Sequence, residues 1–272
     1  MGAESGRGIS KLLVAAAIVY PVFAAVLLGA TGLFAFHLDP ANAARGVGSL
    51  GSLAMVSPSC SQAMMEPAGR VSEGESACGV TLGSRRLSID CRGLATLPAE
   101  IKAISFDSSG NQTQEPATVS AGGCRLQASM QGVESGLRST ALEPKDLVVI
   151  ADFTPGSSAA TVFMDARCAT DACLSLALWN DGTFAIAHYG TGDSKFSNIA
   201  TGNAALRRGQ ANRLLLYLRG QTVVAYLNGK RLATTTTSKA LSEGLVALTI
   251  RNEDSSQAAA FEVQRLYIFQ GK

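Results

Sequence analysis

Few residues in this chain are of the types that do chemistry, and their spacing decides what they could support. Cleaving a glycosidic bond takes two carboxyl groups about 5–9.5 Å apart, one protonating the leaving oxygen and one attacking or activating water. The acids near strand-like runs are Asp152 in Leu147–Phe153, Asp165 and Asp171 around the following loop, and the Glu253-Asp254 pair. No two of them share a strand-like run, and each reads as a solvated or loop acid. The only histidines are His37 and His188, and no Cys-x-x-Cys occurs, so no metal-ligand set is spaced for zinc. There is no Gly-x-Ser-x-Gly elbow, no P-loop and no dinucleotide fingerprint. The expectation is a non-enzymatic chain with no catalytic residue, no metal and no cofactor.

Binding chemistry is better represented. Sugar sites present an aromatic platform beside amide or acid groups. Trp179, the single tryptophan, lies with His188, Tyr189 and Asn198 around one expected hairpin, and these four form the candidate ligand or partner face. The competing role for Trp179 is a place in the core. The net charge of +2 is spread without a basic block, which excludes a phosphate-backbone partner such as nucleic acid.

The elements that must position these residues are strands. After residue 123 short apolar runs alternate with turn signals: 124–130, 147–153, 161–165, 174–179, 183–189, 213–218, 222–227, 230–234, 245–251 and 261–269. Asn180-Asp181-Gly182 and Asn228-Gly229 are hairpin turns, since Asn, Asp and Gly tolerate positive φ. Val223, Ala225 and Leu227 alternate with less apolar neighbours, as do Val246, Leu248 and Ile250, the period-two mark of a sheet packed on one face. Upstream, 80–82 and 87–89 around Gly83-Ser84 read as a hairpin, 101–106 as a strand and 108–120 as polar loop. Asn111-Gln112-Thr113 is a glycosylation sequon in a eukaryotic host.

Residues 212–214, 223–230 (Val-Val-Ala-Tyr-Leu-Asn-Gly-Lys) and 241–248 (Leu-Ser-Glu-Gly-Leu-Val-Ala-Leu) resemble the concanavalin A-like lectin/glucanase domains, above all their laminin-G-like branch. The resemblance covers about 123–270. It implies an all-β, antiparallel jelly-roll sandwich and raises the prospect of glycan binding. The Glu-x-Asp-x-x-Glu strand of that group's glucanases is absent here.

The N-terminal part sets location. Residues 12–38 form a run of 27 without Asp, Glu, Lys or Arg, roughly 40 Å long as a helix against about 30 Å of hydrocarbon. Arg7 and Lys11 precede it, which puts the N-terminus in the cytoplasm and the remainder outside. Ala41-Asn42-Ala43 resembles a signal-peptidase site, but signal cores run only about 7–15 residues, so an uncleaved single-pass anchor is expected. Ala25, Gly29 and Gly32 make a small-residue face suited to helix packing. His37, near its outer end, suits the polar interface better than ligation.

All six cysteines follow the apolar run, as disulfides in an oxidising compartment would. Cys168 and Cys173 are expected to bridge. Cys60, Cys78, Cys91 and Cys124 allow three pairings, and sequence does not choose among them. The expected organisation is a cytoplasmic arm 1–11, a transmembrane helix 12–38, a Gly/Ser/Pro-rich linker 39–77 and a β-sandwich domain 78–272 in the periplasm or outside the cell. The expected function is a non-catalytic accessory assembly subunit docking on other membrane-protein subunits, with a membrane-anchored glycan-binding domain as the alternative.

Overall fold

The computed structural model describes residues 60, 66–67, 69–107, 111–113, 118–120, 122–156, 160–169, 172–189, 197–238 and 241–272. Sixteen strands form there: β1 Ser76–Ala77, β2 Val80–Asp90, β3 Ile101–Phe106, β4 Thr118–Ser120, β5 Gly123–Ala128, β6 Glu134–Ser139, β7 Leu147–Pro155 and β8 Ala160–Ala169. They continue as β9 Ala172–Trp179, β10 Thr183–Tyr189, β11 Ser197–Asn203, β12 Asn212–Arg219, β13 Thr222–Leu227, β14 Lys230–Thr236, β15 Leu245–Asn252 and β16 Ala259–Gly271. Among the described residues no helix is long and apolar enough to cross a membrane. The run 12–38, with Ala25, Gly29, Gly32 and His37, lies outside the described residues.

Two antiparallel sheets face each other. One has nine strands, in the order β1-β2-β16-β7-β12-β13-β14, with β5 also pairing β16 and β4 pairing β5. The other runs β11-β10-β9-β8-β15-β6-β3. Every second residue of each strand points between the sheets, so the alternation in the sequence becomes one core. Val223, Ala225, Leu227, Val246, Leu248 and Ile250 all lie in it, at most 2 % exposed. The Asn228-Gly229 turn forms as its chemistry requires, with φ of 51° and 77°, and in Asn180-Asp181-Gly182 the glycine alone takes a positive φ, 88°.

One turn expected from sequence is not a turn. Gly83-Ser84 sits inside β2, a single strand of 11 residues. A Cβ at position 83 would lie 2.4 Å from the backbone oxygen of Gln270. Here the partner strand β16 is bulged between Phe269 and Gly271. The glycine admits a neighbouring backbone rather than reversing the chain.

The nine-stranded sheet is apolar on its outer face as well. Val148, Ile150, Leu215, Tyr226, Tyr267 and Phe269 form a second cluster there, covered by Val71, Ala77, Cys78, Val80 and Leu82. Residues 71–77, read from composition as the end of a tether, are thus part of the domain. Their Gly and Ser residues stay exposed while Val71 and Ala77 pack, and Cys60–Cys78 ties the segment down. Cys91–Cys124 and Cys168–Cys173 complete the pairing, which leaves no free cysteine. Three disulfides suit a domain outside the cytoplasm.

Candidate functional site

The four residues expected to form one face do not meet. Trp179 ends β9 beside the turn, whereas His188 pairs with Leu174 at the far end of the same strand. Leu174 and Trp179 are five positions apart, about 16 Å of strand. His188 also shares the core side with Phe184 and Ile186 and is 2 % exposed. Asn198, opposite Ala187, is exposed on the other side. Tyr189 holds the register position opposite Cys173. A hairpin brings together only residues equidistant from its turn, and alternation then splits them between two faces. Asp152 belongs to the nine-stranded sheet, locked to Arg213 at 2.6 Å. Asp171 lies outside the described residues. Asp254 is a turn acid, its carboxyl lowered by hydrogen bonds from the Ser256 backbone and side chain.

What the structure does gather lies on the outer face of the seven-stranded sheet. A groove of about 530 Å³ crosses four neighbouring strands. β3 contributes Ile104 and Phe106, β6 contributes Glu134 and Arg138, β15 contributes Ala247 and Thr249, and β8 contributes Asp165. Leu142 and the Cys168 end of β8 form the rim, and Leu142 is among the few large apolar side chains left exposed. Apolar walls with a few convergent polar groups are the usual makeup of a small-molecule site.

The polar centre is a pair of carboxyls. Thr249 Oγ1 donates to Glu134 Oε1 at 2.7 Å. The Ser175 hydroxyl hydrogen-bonds Asp165. Arg251, directly across from Glu134, is committed elsewhere: its Nε and Nη2 donate to Glu253 at 2.9 and 2.7 Å, and it lies 5.0 Å over the Phe163 ring. Among the described residues neither Glu134 nor Asp165 makes an ion pair.

Burial pushes both carboxyls up. For Glu134 the Thr249 hydrogen bond and the Arg251 charge pull partly back. Asp165 rises to about 7, from burial first and then repulsion by Glu134. Asp165 is therefore neither a solvated nor a loop acid but a mid-strand one in the groove. The missed members, Glu134 and Arg138, lie in Glu-Ser-Gly-Leu-Arg-Ser, which carries no strand signature. Gly136 is required there because a Cβ would meet Thr249 at 2.4 Å.

The raised Asp165 has a signed consequence. Between the unfolded carboxylate value and about 7 the folded state holds a proton that the unfolded state has lost, so stability falls as pH rises through that window. Asp165→Asn is expected to stabilise the protein above neutral pH by about 1–2 kcal/mol after screening, or about 3–6 °C in Tm. At about pH 3.5, where the folded state is protonated and the unfolded state mostly so, it should change little. Thermal denaturation at both pH values checks this, and an equal shift at both would assign the effect to packing.

No protein-family model matches the chain, and no curated protein does. Solved structures do. A protein of unknown function with galectin-like fold from Bacillus subtilis is 11 % identical and covers 71 % of this chain and 98 % of its own, with a TM-score of 0.58. A β-glucanase from Bacillus licheniformis is 10 % identical over 69 % of this chain and 99 % of its own, TM-score 0.56. A LamA variant from Z. galactanivorans, solved with laminaritriose and laminaritetraose, is 10 % identical over 70 % and 100 %, TM-score 0.55. At such identities the likeness is one of fold: the chain carries the galectin-like, concanavalin A-like jelly-roll sandwich that its Tyr-Leu-Asn-Gly-Lys and Glu-Gly phrases resemble.

Proposed function

We propose that this chain is a membrane-tethered carbohydrate-binding domain, held outside the cytoplasm by residues 12–38, that seats its ligand in the groove across β3, β6, β15 and β8 and acts without catalysis. The groove itself carries the reading: about 530 Å³, walled by Ile104, Phe106, Leu142 and Ala247 and floored by carboxyl, guanidinium and hydroxyl groups. Pyranose rings present apolar faces and hydroxyl edges, and such walls and floor complement both. A β-glucanase and a laminari-oligosaccharide complex on the same fold support it by analogy of fold. The rival role, a subunit docking on membrane partners, rests on the apolar run 12–38, which lies outside the described residues, and on a linker whose end at Val71 and Ala77 packs on the domain's own sheet.

The test is calorimetric titration of the full chain in mild detergent with a panel of glucan and amino-sugar oligosaccharides. Saturable binding is expected, weakened about tenfold by Phe106→Ala through loss of the ring contact. No reducing ends should be released on long incubation. An absence of binding across the panel sinks the carbohydrate reading, and release of reducing ends sinks the non-catalytic part.

A further inference from the structure

Two aromatic rings stand outside the core on the outer face of the seven-stranded sheet. Phe106 lines the groove, and Trp179 belongs to neither core cluster and is half-buried. Strand register puts them on one row. Phe106 lies directly opposite Glu134, Glu134 opposite Arg251, Arg251 opposite Thr161 and Thr161 opposite Trp179. Directly opposed residues share a face, so all five stand on the groove side of the sheet. Alternation agrees: Leu174, Leu176 and Leu178 fill the core, which sends Trp179 outward. The row crosses β3, β6, β15, β8 and β9, so the two rings are about 19 Å apart, four interstrand spacings. A single sugar ring cannot reach both.

The middle of the row is polar and held in place. Glu253 folds back over it, and its Oε1 accepts from Thr161 Oγ1 at 2.7 Å and from Arg251 Nε and Nη2 at 2.9 and 2.7 Å. Oε2 takes part in none of these bonds, and the side chain is 40 % exposed. One carboxylate oxygen is thus fixed by three donors, and the other is left to accept from a hydroxyl group. The row also runs out at both edges of the sheet. Past Phe106 it continues to Gln112, and past Trp179 through Thr183 to Asn203, and both end residues are exposed.

Resting on the carbohydrate reading above, we propose that this chain reads an internal stretch of a linear polysaccharide laid across the strands, with one sugar ring on Phe106, a later ring on Trp179 and Glu253 Oε2 accepting from a hydroxyl between them. A pocket closed at one end selects a chain terminus. A row open at both edges lets the chain run through. The distance between the two rings makes ligand length the selected property: a disaccharide seats in the groove against Phe106, and only a longer chain gains the contact with Trp179.

Full-length protein in mild detergent is titrated calorimetrically with laminari-, cello- and N-acetylchito-oligosaccharides, each series running from the dimer to the hexamer. In at least one series the hexamer is expected to bind about tenfold tighter than the dimer, the gain from the second ring contact. Trp179→Ala should remove that gain and leave dimer binding unchanged, with Tm within a few degrees of the parent because the ring lies outside the core. Trp179→Leu, which keeps apolar bulk, should do the same, and Trp179→Phe should keep most of the gain. Reducing the hexamer's terminal sugar to its alditol should change little, since no chain end is read. No binding in any series overturns both this proposal and the carbohydrate reading. Binding without a gain from dimer to hexamer overturns this proposal and leaves the carbohydrate reading standing. So does a gain that survives in Trp179→Ala, an equal loss for dimer and hexamer in Trp179→Leu, or a tenfold loss on alditol formation.

Discussion

Replacing Arg213 by alanine is expected to lower the free energy of unfolding by about 3–5 kcal/mol. Arg213 and Asp152 are 1 % and 0 % exposed, and their forked contact is closed at both ends, Nε to Oδ1 at 2.6 Å and Nη2 to Oδ2 at 2.7 Å. The same Nη2 donates to the carbonyls of Pro67 and Gly69, so the guanidinium also staples this end of the linker, the neck of the domain, onto the outer face of the nine-stranded sheet. Without it, Asp152 is left buried with only Arg265 nearby at 3.9 Å, and Arg265 already serves Asp90 and Gly69.

Burial already pushes the Asp152 carboxyl up, against the pull of Arg213. Removing that pull raises it further. The variant's deficit should therefore grow as pH rises above the ordinary carboxylate range and shrink in acid. Urea unfolding at two pH values measures both effects, and a loss under about 1 kcal/mol would show the pair to be dispensable. The double variant Arg213→Met with Asp152→Leu should recover much of the loss, because it leaves no buried charge behind.

The second large effect is expected at Cys91–Cys124. This bridge closes 33 residues and sits at 0 % exposure in the core between the sheets. It joins the end of β2 to β5, and both strands pair with β16. Loop-closure entropy for that span is worth about 4 kcal/mol, against about 2 kcal/mol for the five-residue separation of Cys168–Cys173. Paired Cys→Ala variants should reproduce that ranking in denaturant midpoints. Equal costs would mean that local strain or residual structure in the unfolded chain, rather than loop length, governs the stabilisation.

Much of the strand inventory follows from local chemistry alone. β3, β10 and β13 begin and end where the apolar alternation does. The Asn228-Gly229 turn is specified because few other residue pairs accept two positive φ angles. What failed was whatever depends on a neighbour. β6 and β11 are polar and glycine-containing, and they are strands only because β15 and β10 offer edges to pair with. Gly83 carries the same residue type as a turn, yet it serves close backbone approach to Gln270. The neck has the composition of a tether, but Arg213 and Arg265 satisfy its carbonyls and an apolar sheet face covers Val71.

The candidate site divides the same way. Trp179, His188, Tyr189 and Asn198 are close in sequence, and strand register sends them to opposite ends and opposite faces. Glu134 and Asp165 are 31 positions apart, and they line one groove because β15 inserts between β6 and β8 and places Thr249 against both strands.

By itself the sequence determined the all-β class, the period-two core, the hairpin turns and the Cys168–Cys173 bridge, because each depends on residues within a few positions of one another. Only the tertiary structure decided the pairing of Cys60 with Cys78 and of Cys91 with Cys124, the inward turn of His188 and the groove lined by Glu134 and Asp165. Those rest on strand order and register, which arise from contacts between residues far apart in the chain.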